Sequence, residues 1–250
     1  MAIDYSKAVK YATWSQEVYQ NFNGIQLSGT ATHPFLINQS DTDTQCALLL
    51  EQSSLTIVFR GSESDIDWET NFETKQERIE FDQVVIREQI AGERKQIYPY
   101  ESGGDSGALM HCGFAEAYLS VRDQIHDYLK THDVDAVTTT GHSLGGALAT
   151  LCAVDLQYNF KYLTIETYTF GAPKVGNDKF CESFKRRVPN SYRIVHGMDI
   201  VPEVPRWWQN YRSVDQEVRI GQRWSWKFIS QRFKDHAIGA YIEILQTLAR

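Results

Sequence analysis

The chain of 250 residues carries 25 Lys and Arg against 32 Asp and Glu, a formal net charge of −7, so it offers no general attraction to nucleic acid or to an anionic bilayer. With 42% hydrophobic and 23% charged residues it reads as a globular chain able to bury a sizeable core, and one large α/β domain commonly runs to about 200–250 residues. No run approaches the ~20 apolar residues of a membrane span, and Met1-Ala2-Ile3-Asp4-Tyr5-Ser6-Lys7 lacks the basic and then apolar pattern of a secretory signal, so a cytoplasmic location is expected.

In chain order, residues 5–19 are expected as a helix with Ala8, Tyr11, Ala12 and Val18 on one side. Two apolar, β-rich runs follow at 46–50 and 55–59, and Gln52-Ser53-Ser54 between them reads as a hairpin turn. The stretch from Gly61 to Leu109 is the least regular. It opens with Glu63, Asp65, Asp67, Glu69 and Glu73 and closes on a glycine-rich loop, and is expected as an insertion, 63–108, within a single domain spanning 1–250. A helix over 114–130 buries Phe114, Tyr118, Val121, Ile125 and Leu129, which recur every three or four residues. A β-branched run at 136–140 leads into glycine and a helix over 144–158. A strand at 162–170, a helix at 180–185, a strand at 192–195 and a final helix over 237–248 complete the pattern. Strands alternating with helices predict a mostly parallel sheet covered on both faces. The four cysteines, Cys46, Cys112, Cys152 and Cys181, are scattered without a C-x-x-C pair, so they are expected as buried free thiols rather than metal ligands.

The sharpest local signal is Gly141-His142-Ser143-Leu144-Gly145, with a β-branched strand before it and a long helix after it. The glycines suit a turn too tight for side chains. Such a turn holds Ser143 at positive φ and exposes its Oγ at the carboxyl end of the sheet, where open α/β sheets bind ligands. The helix opening at Leu144 aims its first amides at the same place, which makes the Leu144 N–H a candidate oxyanion donor. The plainer reading is a tight turn that happens to contain serine. His142 is expected to point away from the nucleophile, and His33, His111, His126 and His132 are read as having no catalytic position.

Five segments then resemble, in order, the fungal-type lipase family (lipase class 3): Ile57-Val58-Phe59-Arg60-Gly61-Ser62, His111-Cys112-Gly113-Phe114, Thr140-Gly141-His142-Ser143-Leu144-Gly145-Gly146-Ala147, Tyr168-Thr169-Phe170-Gly171-Ala172-Pro173-Lys174-Val175-Gly176-Asn177, and His196-Gly197-Met198-Asp199-Ile200-Val201-Pro202. A short match at Asp235-His236 follows. The resemblance implies an α/β-hydrolase fold with a lid-like insertion after Ser62. It implies a triad of Ser143, Asp199 and His236, and oxyanion donation from Ser62 and Leu144. Chain order agrees, since this fold places acid and base after the nucleophile. A rival set in the same order, Ser143, Asp178 and His196, stays open, although Asn177 and Asp178 are also ordinary helix caps.

The expected chemistry is ester hydrolysis through an acyl-enzyme, with no metal and no cofactor. The substrate expected is a lipid or small ester, met at a transient lipid interface or as single molecules, and the residues set no oligomeric state. Ile66, Trp68 and Phe72 in the lid candidate, 63–77, and Trp207 and Trp208, with Tyr211, Trp224, Trp226 and Phe228 nearby, are candidates for touching lipid; packing on the body is the alternative. Arg206 and Arg212 are candidates for a lipid head group or simply solvated. Triacylglycerol hydrolysis leads, with phospholipase A1, galactolipase and short-chain or aryl esterase activity as alternatives. An acyltransferase, a peptidase and a catalytically silent lipid- or partner-binding protein are the readings from other classes.

Overall fold

The computed structural model describes residues 2–62, 76–77, 107–205, 210–214, 217–222 and 234–250. Among them, seven strands form one sheet whose spatial order is the chain order: β1 (Phe35–Gln39), β2 (Thr44–Glu51), β3 (Ser54–Phe59), β4 (Ala136–His142), β5 (Thr164–Phe170), β6 (Asn190–His196) and β7 (Glu217–Ile220). The first two pairings are antiparallel and those from β3 to β7 are parallel. The expected hairpin joins β2 to β3 with Glu51 opposite Ser54, and Gln52 takes the left-handed conformation (φ 58°) that so short a loop requires. The parallel strands need crossovers, and helices supply them: α2 (Cys112–Thr131) before β4, α3 (Leu144–Asn159) after it and α4 (Asp178–Arg187) after β5. The expected mostly parallel α/β sheet is therefore present, as are the helices on both its faces.

The two faces can be read from alternation along the strands. Cys46, Leu48, Leu55, Ile57 and Phe59 point into one core with α2, α3 and α4. Ala47, Leu49 and Val58 point the other way and pack with α1 (Tyr5–Glu17) and α5 (Ile238–Leu248). Each large apolar side chain so buried contributes roughly 1.5–3 kcal/mol. The body of α3 lies inside: every residue from Gly145 to Leu156 is buried, which is why its hydrophobic pattern shows no polar face.

One polar cluster sits in this apolar layer and ties α2 to α3. The buried Asp155 carboxylate accepts from Arg122 Nε (3.0 Å) and Nη2 (3.1 Å), from His126 Nε2 (2.6 Å), from Asn159 Nδ2 (2.7 Å) and from the Tyr118 hydroxyl. His126, expected to be bland, is thus a structural partner of a buried acid. Removing one member leaves an uncompensated buried charge. Asp155→Ala is expected to cost about 3–5 kcal/mol, because it strands the Arg122 guanidinium. Equilibrium denaturant unfolding measures this, and a loss under about 1 kcal/mol would contradict it.

Most of the expected insertion, 63–108, lies outside the described residues, as do Ile66, Trp68, Phe72, Trp207, Trp208, Arg206, Trp224, Trp226 and Phe228. Gln76–Glu77 pairs antiparallel with Met110–His111. Tyr211, offered above as a groove or interface residue, is instead fully buried, with its ring 5.9 Å from that of His111. Arg212 forms an ion pair with Asp178 at 3.0 Å rather than standing alone in solvent. Cys46 and Cys152 are buried and burial pushes both thiols up, whereas Cys112 and Cys181 are only half-buried; none of the four forms a disulfide.

Candidate active site

The turn between β4 and α3 holds Ser143 at φ 56° and ψ −127°, where an L-residue with a side chain is strained. Two glycines make the turn possible. A Cβ on Gly141 would strike the backbone of Gly145, and one on Gly145 would strike the carbonyl of Phe59 at the end of β3. The Ser143 N–H donates to the Phe170 carbonyl (3.0 Å), which anchors the elbow to the end of β5. Leu144 opens α3, so its amide lies in the first turn, where helical N–H groups have no intrahelical acceptor. Ser62 lies three residues beyond Phe59, which pairs with Gly141, so it reaches the same end of the sheet as the elbow.

Asp199 and His236 arrive from two further loops. Asp199 follows β6, and its Oδ1 accepts from the Val201 N–H at 2.9 Å. Its Oδ2 faces His236 Nδ1 at 2.9 Å, and His236 Nε2 lies 3.0 Å from Ser143 Oγ. A carboxylate only accepts, so His236 carries its proton on Nδ1. In the neutral ring this leaves Nε2 as an acceptor toward the serine hydroxyl, the tautomer a general base needs. Tyr241 on α5 donates a further hydrogen bond to Asp199 Oδ2 (2.5 Å). Gly171 stands against this junction at φ 59°: a Cβ there would lie 2.7 Å from Asp199 Oδ2 and 3.0 Å from both His236 Nδ1 and the Tyr241 hydroxyl. The two loops are also clasped together. Asp235 Oδ2 accepts from the Met198 N–H (2.7 Å), and the Asp235 carbonyl lies 3.0 Å from His196 Nδ1.

Ser143, Asp199 and His236 are 0%, 3% and 1% exposed. The expected exposed hydroxyl is therefore corrected: Oγ is covered, with the His236 ring against it. The rival set does not assemble. Asp178 pairs with Arg212, and His196 Nδ1 is engaged by the Asp235 carbonyl. Asn177 caps α4 through Phe180 N–H (3.0 Å), the ordinary role weighed for that stretch.

The sequence reading missed Tyr241, Gly171, Asp235 and the part played by His142. Tyr241 sits on the apolar face of the last helix with Leu245, where it counts as core. Asp235 carried a signal, since it precedes the candidate base in the Asp-His pair. His142 turns away from Oγ, as expected, but its Nε2 lies 2.7 Å from the His236 carbonyl. Burial, and then the neighbouring His236, holds its ring well below the usual histidine range. Burial likewise lowers His111 to about 4. His111 Nδ1 caps α2 by accepting from the Phe114 N–H (3.4 Å). At pH 5 an unfolded chain protonates His111 and the folded chain leaves it neutral, and the lowering at His142 acts in the same direction, so the unfolded state binds more protons. Stability is present above pH 6.5 or so and is lost as pH falls toward 4, with His111 alone accounting for about 2 kcal/mol at pH 5. Denaturant titrations at pH 7 and 5 test the slope, and His111→Asn is expected to flatten it.

No group of metal-ligating side chains is found among the described residues, and no helix among them is long and apolar enough to cross a membrane. Residues 56–208 match the family described as Lipase (class 3). A secreted mono- and diacylglycerol lipase of Malassezia restricta is 35% identical over 103 residues, covering 39% of this chain and 34% of that protein. A chloroplastic phospholipase A(1) of Arabidopsis thaliana is 36% identical over 115 residues, covering 42% of this chain and 26% of that protein. The match thus spans about a third or less of the length of these curated relatives. Among solved structures, a Rhizomucor miehei lipase–propeptide complex superposes with a TM-score of 0.69 at 24% identity, covering 89% of this chain and 68% of that one. A lipase from Rhizopus microsporus var. chinensis gives a TM-score of 0.67 at 24% identity, covering 90% and 76%. These two superpositions establish the shared fold.

Proposed function

The chain belongs to the class 3 lipase family, and on that premise we propose that it is a carboxylic ester hydrolase acting on lipid esters, with Ser143 as nucleophile, His236 as base and acid, and Asp199 as the group that orients the imidazole. The observation that carries this reading is the unbroken line from Asp199 Oδ2 through His236 to Ser143 Oγ, at 2.9 and 3.0 Å. Oγ attacks the ester carbonyl while His236 Nε2 takes its proton. The tetrahedral oxyanion falls to the amides of Leu144 and Ser62, each worth about 3–4 kcal/mol of barrier. The alcohol leaves with the proton from Nε2. Water then adds to the acyl carbonyl as His236 Nε2 takes one of its protons, and the second tetrahedral intermediate collapses by breaking the bond to Ser143 Oγ, which recovers that proton from Nε2 as the carboxylic acid leaves. The buried imidazolium formed in each half-reaction is stabilised by the Asp199 carboxylate, which stays ionised.

The relative acting on mono- and diacylglycerols supports neutral glycerides as the first substrates to try, and the phospholipase relative supports sn-1 phospholipid as the second. Ile66, Trp68, Phe72, Trp207 and Trp208 remain the candidates for acyl contact. The relative named as secreted supports a place outside the cell over the cytoplasmic one expected from residues 1–7. The test is a chain-length series of p-nitrophenyl esters, followed by emulsified mono-, di- and triacylglycerol and by phosphatidylcholine vesicles. Turnover of the esters and of at least one lipid is expected. A folded protein that cleaves no ester in the series would overturn the proposal.

A further inference from the structure

The hydrogen bonds beneath the base have a direction, and it can be worked out atom by atom. The His236 carbonyl can only accept, so the 2.7 Å contact with His142 Nε2 requires a proton on that nitrogen. The His142 ring is buried and neutral, hence its Nδ1 is bare. Nδ1 therefore accepts from the Tyr19 hydroxyl, 3.0 Å away. That hydroxyl lies against Gly61, one residue before Ser62, and 3.5 Å from the His142 carbonyl. Tyr19 is held in turn through its own carbonyl, which accepts from Arg60 Nη2 at 3.4 Å. The His142 and His236 rings stand 4.6 Å apart, tilted by 34°.

We infer that Tyr19 and His142 are positioning residues for the reaction: a one-way chain from the Tyr19 hydroxyl through the His142 ring to the His236 carbonyl fixes the base over the nucleophile. The inference rests on the ester hydrolysis proposed above. His142 is covalently next to Ser143 and hydrogen-bonded to the main chain of His236, so one rigid ring sets the spacing between nucleophile and base. Tyr19 sets the ring's rotation and tautomer, and it references both to Gly61 in the segment after β3 that carries Ser62. The other tautomer would put a lone pair against the His236 carbonyl oxygen and push the loop away. A neutral ring here also adds no positive charge beside His236 when that residue becomes an imidazolium. A histidine serving only as core filling would need neither a fixed tautomer nor a phenol to fix it.

Steady-state kinetics on p-nitrophenyl butyrate separate these cases. Misplacing a base by a fraction of an ångström slows chemistry without weakening ground-state binding, so Tyr19→Phe is expected to lower kcat about tenfold with KM within about twofold. His142→Phe is expected to lower kcat by about 100-fold. A Tyr19→Phe variant with wild-type kcat, or one slowed only through KM, would overturn the inference. The second measurement needs no variant: in ¹⁵N-histidine NMR of the intact protein at pH 7, His142 is expected as the neutral Nε2–H tautomer, and the Nδ1–H tautomer or an imidazolium would overturn it. Should His142→Phe fail to fold, Tyr19→Phe and the NMR assignment decide. Ser143→Ala run alongside keeps the two ideas apart. If that variant retains activity, the hydrolase reading fails; if it is inactive while Tyr19→Phe is unimpaired, only the positioning role fails.

Discussion

Replacing Ser143 by alanine is expected to lower ester turnover by about 10⁵- to 10⁶-fold, the scale seen when a covalent nucleophile is removed from a triad, while leaving the fold intact. The side chain is small, and its hydroxyl makes its 3.0 Å contact with the base rather than with any core group. What holds the elbow is backbone: the Ser143 N–H on the Phe170 carbonyl and the Ser143 carbonyl accepting from Gly146 at 3.0 Å. Those bonds survive the substitution. Residual turnover would come from the oxyanion donors acting on a bound ester with water as nucleophile. The measurement is kcat/KM on a p-nitrophenyl ester together with an unfolding curve. Activity within tenfold of the parent would mean that another group attacks the ester.

Asp199→Asn is expected to cost about 10⁴-fold in kcat, and Asp178→Asn less than about twofold. The first figure follows from the proton inventory. Oδ2 of Asp199 takes two donors, His236 Nδ1–H and the Tyr241 hydroxyl, and Oδ1 takes the Val201 N–H. An asparagine oxygen can serve one side of this arrangement. Its amide then presents protons where an acceptor is needed. If the amide faces His236, the ring must carry its proton on Nε2, and Ser143 Oγ has no base. Asp178 has no such role: it lies on α4, more than half exposed, beside Arg212. Comparing kcat for the two variants, with KM as a check on binding, decides between the two acids. A severe Asp178→Asn and a mild Asp199→Asn would reverse the assignment.

The parts of the fold that could be read in advance are those where one periodicity dominates. The β-branched run before Gly141 and the apolar stripe of α2 appear within a few residues of their expected ends. β1 and β7 were not anticipated, and both are edge strands. Phe35-Leu36-Ile37-Asn38-Gln39 and Glu217-Val218-Arg219-Ile220 are short and half polar, because an edge strand has one side unpaired and less apolar surface to bury. For the site, local chemistry marks only Ser143, through the glycines around it. Asp199 and His236 were named from chain order and resemblance, and the structure brings them to hydrogen-bonding distance. Tyr241 and the His142 chain were out of reach because each depends on which loops meet in space. A tyrosine on an apolar helix face and a histidine in a strand look like core in any one-dimensional reading.

The backbone at position 143 conflicts with thermodynamics in a way that bears on how the protein changes over time. Its φ of 56° and ψ of −127° suit a residue with no side chain better than serine. A glycine there would relax the elbow, so drift toward greater robustness and drift toward inactivity run in the same direction at this one codon. On the hydrolase reading proposed above, selection for turnover is what keeps the hydroxyl in place. A lineage released from that selection would be expected to lose this hydroxyl early and to gain a slightly sturdier fold by losing it.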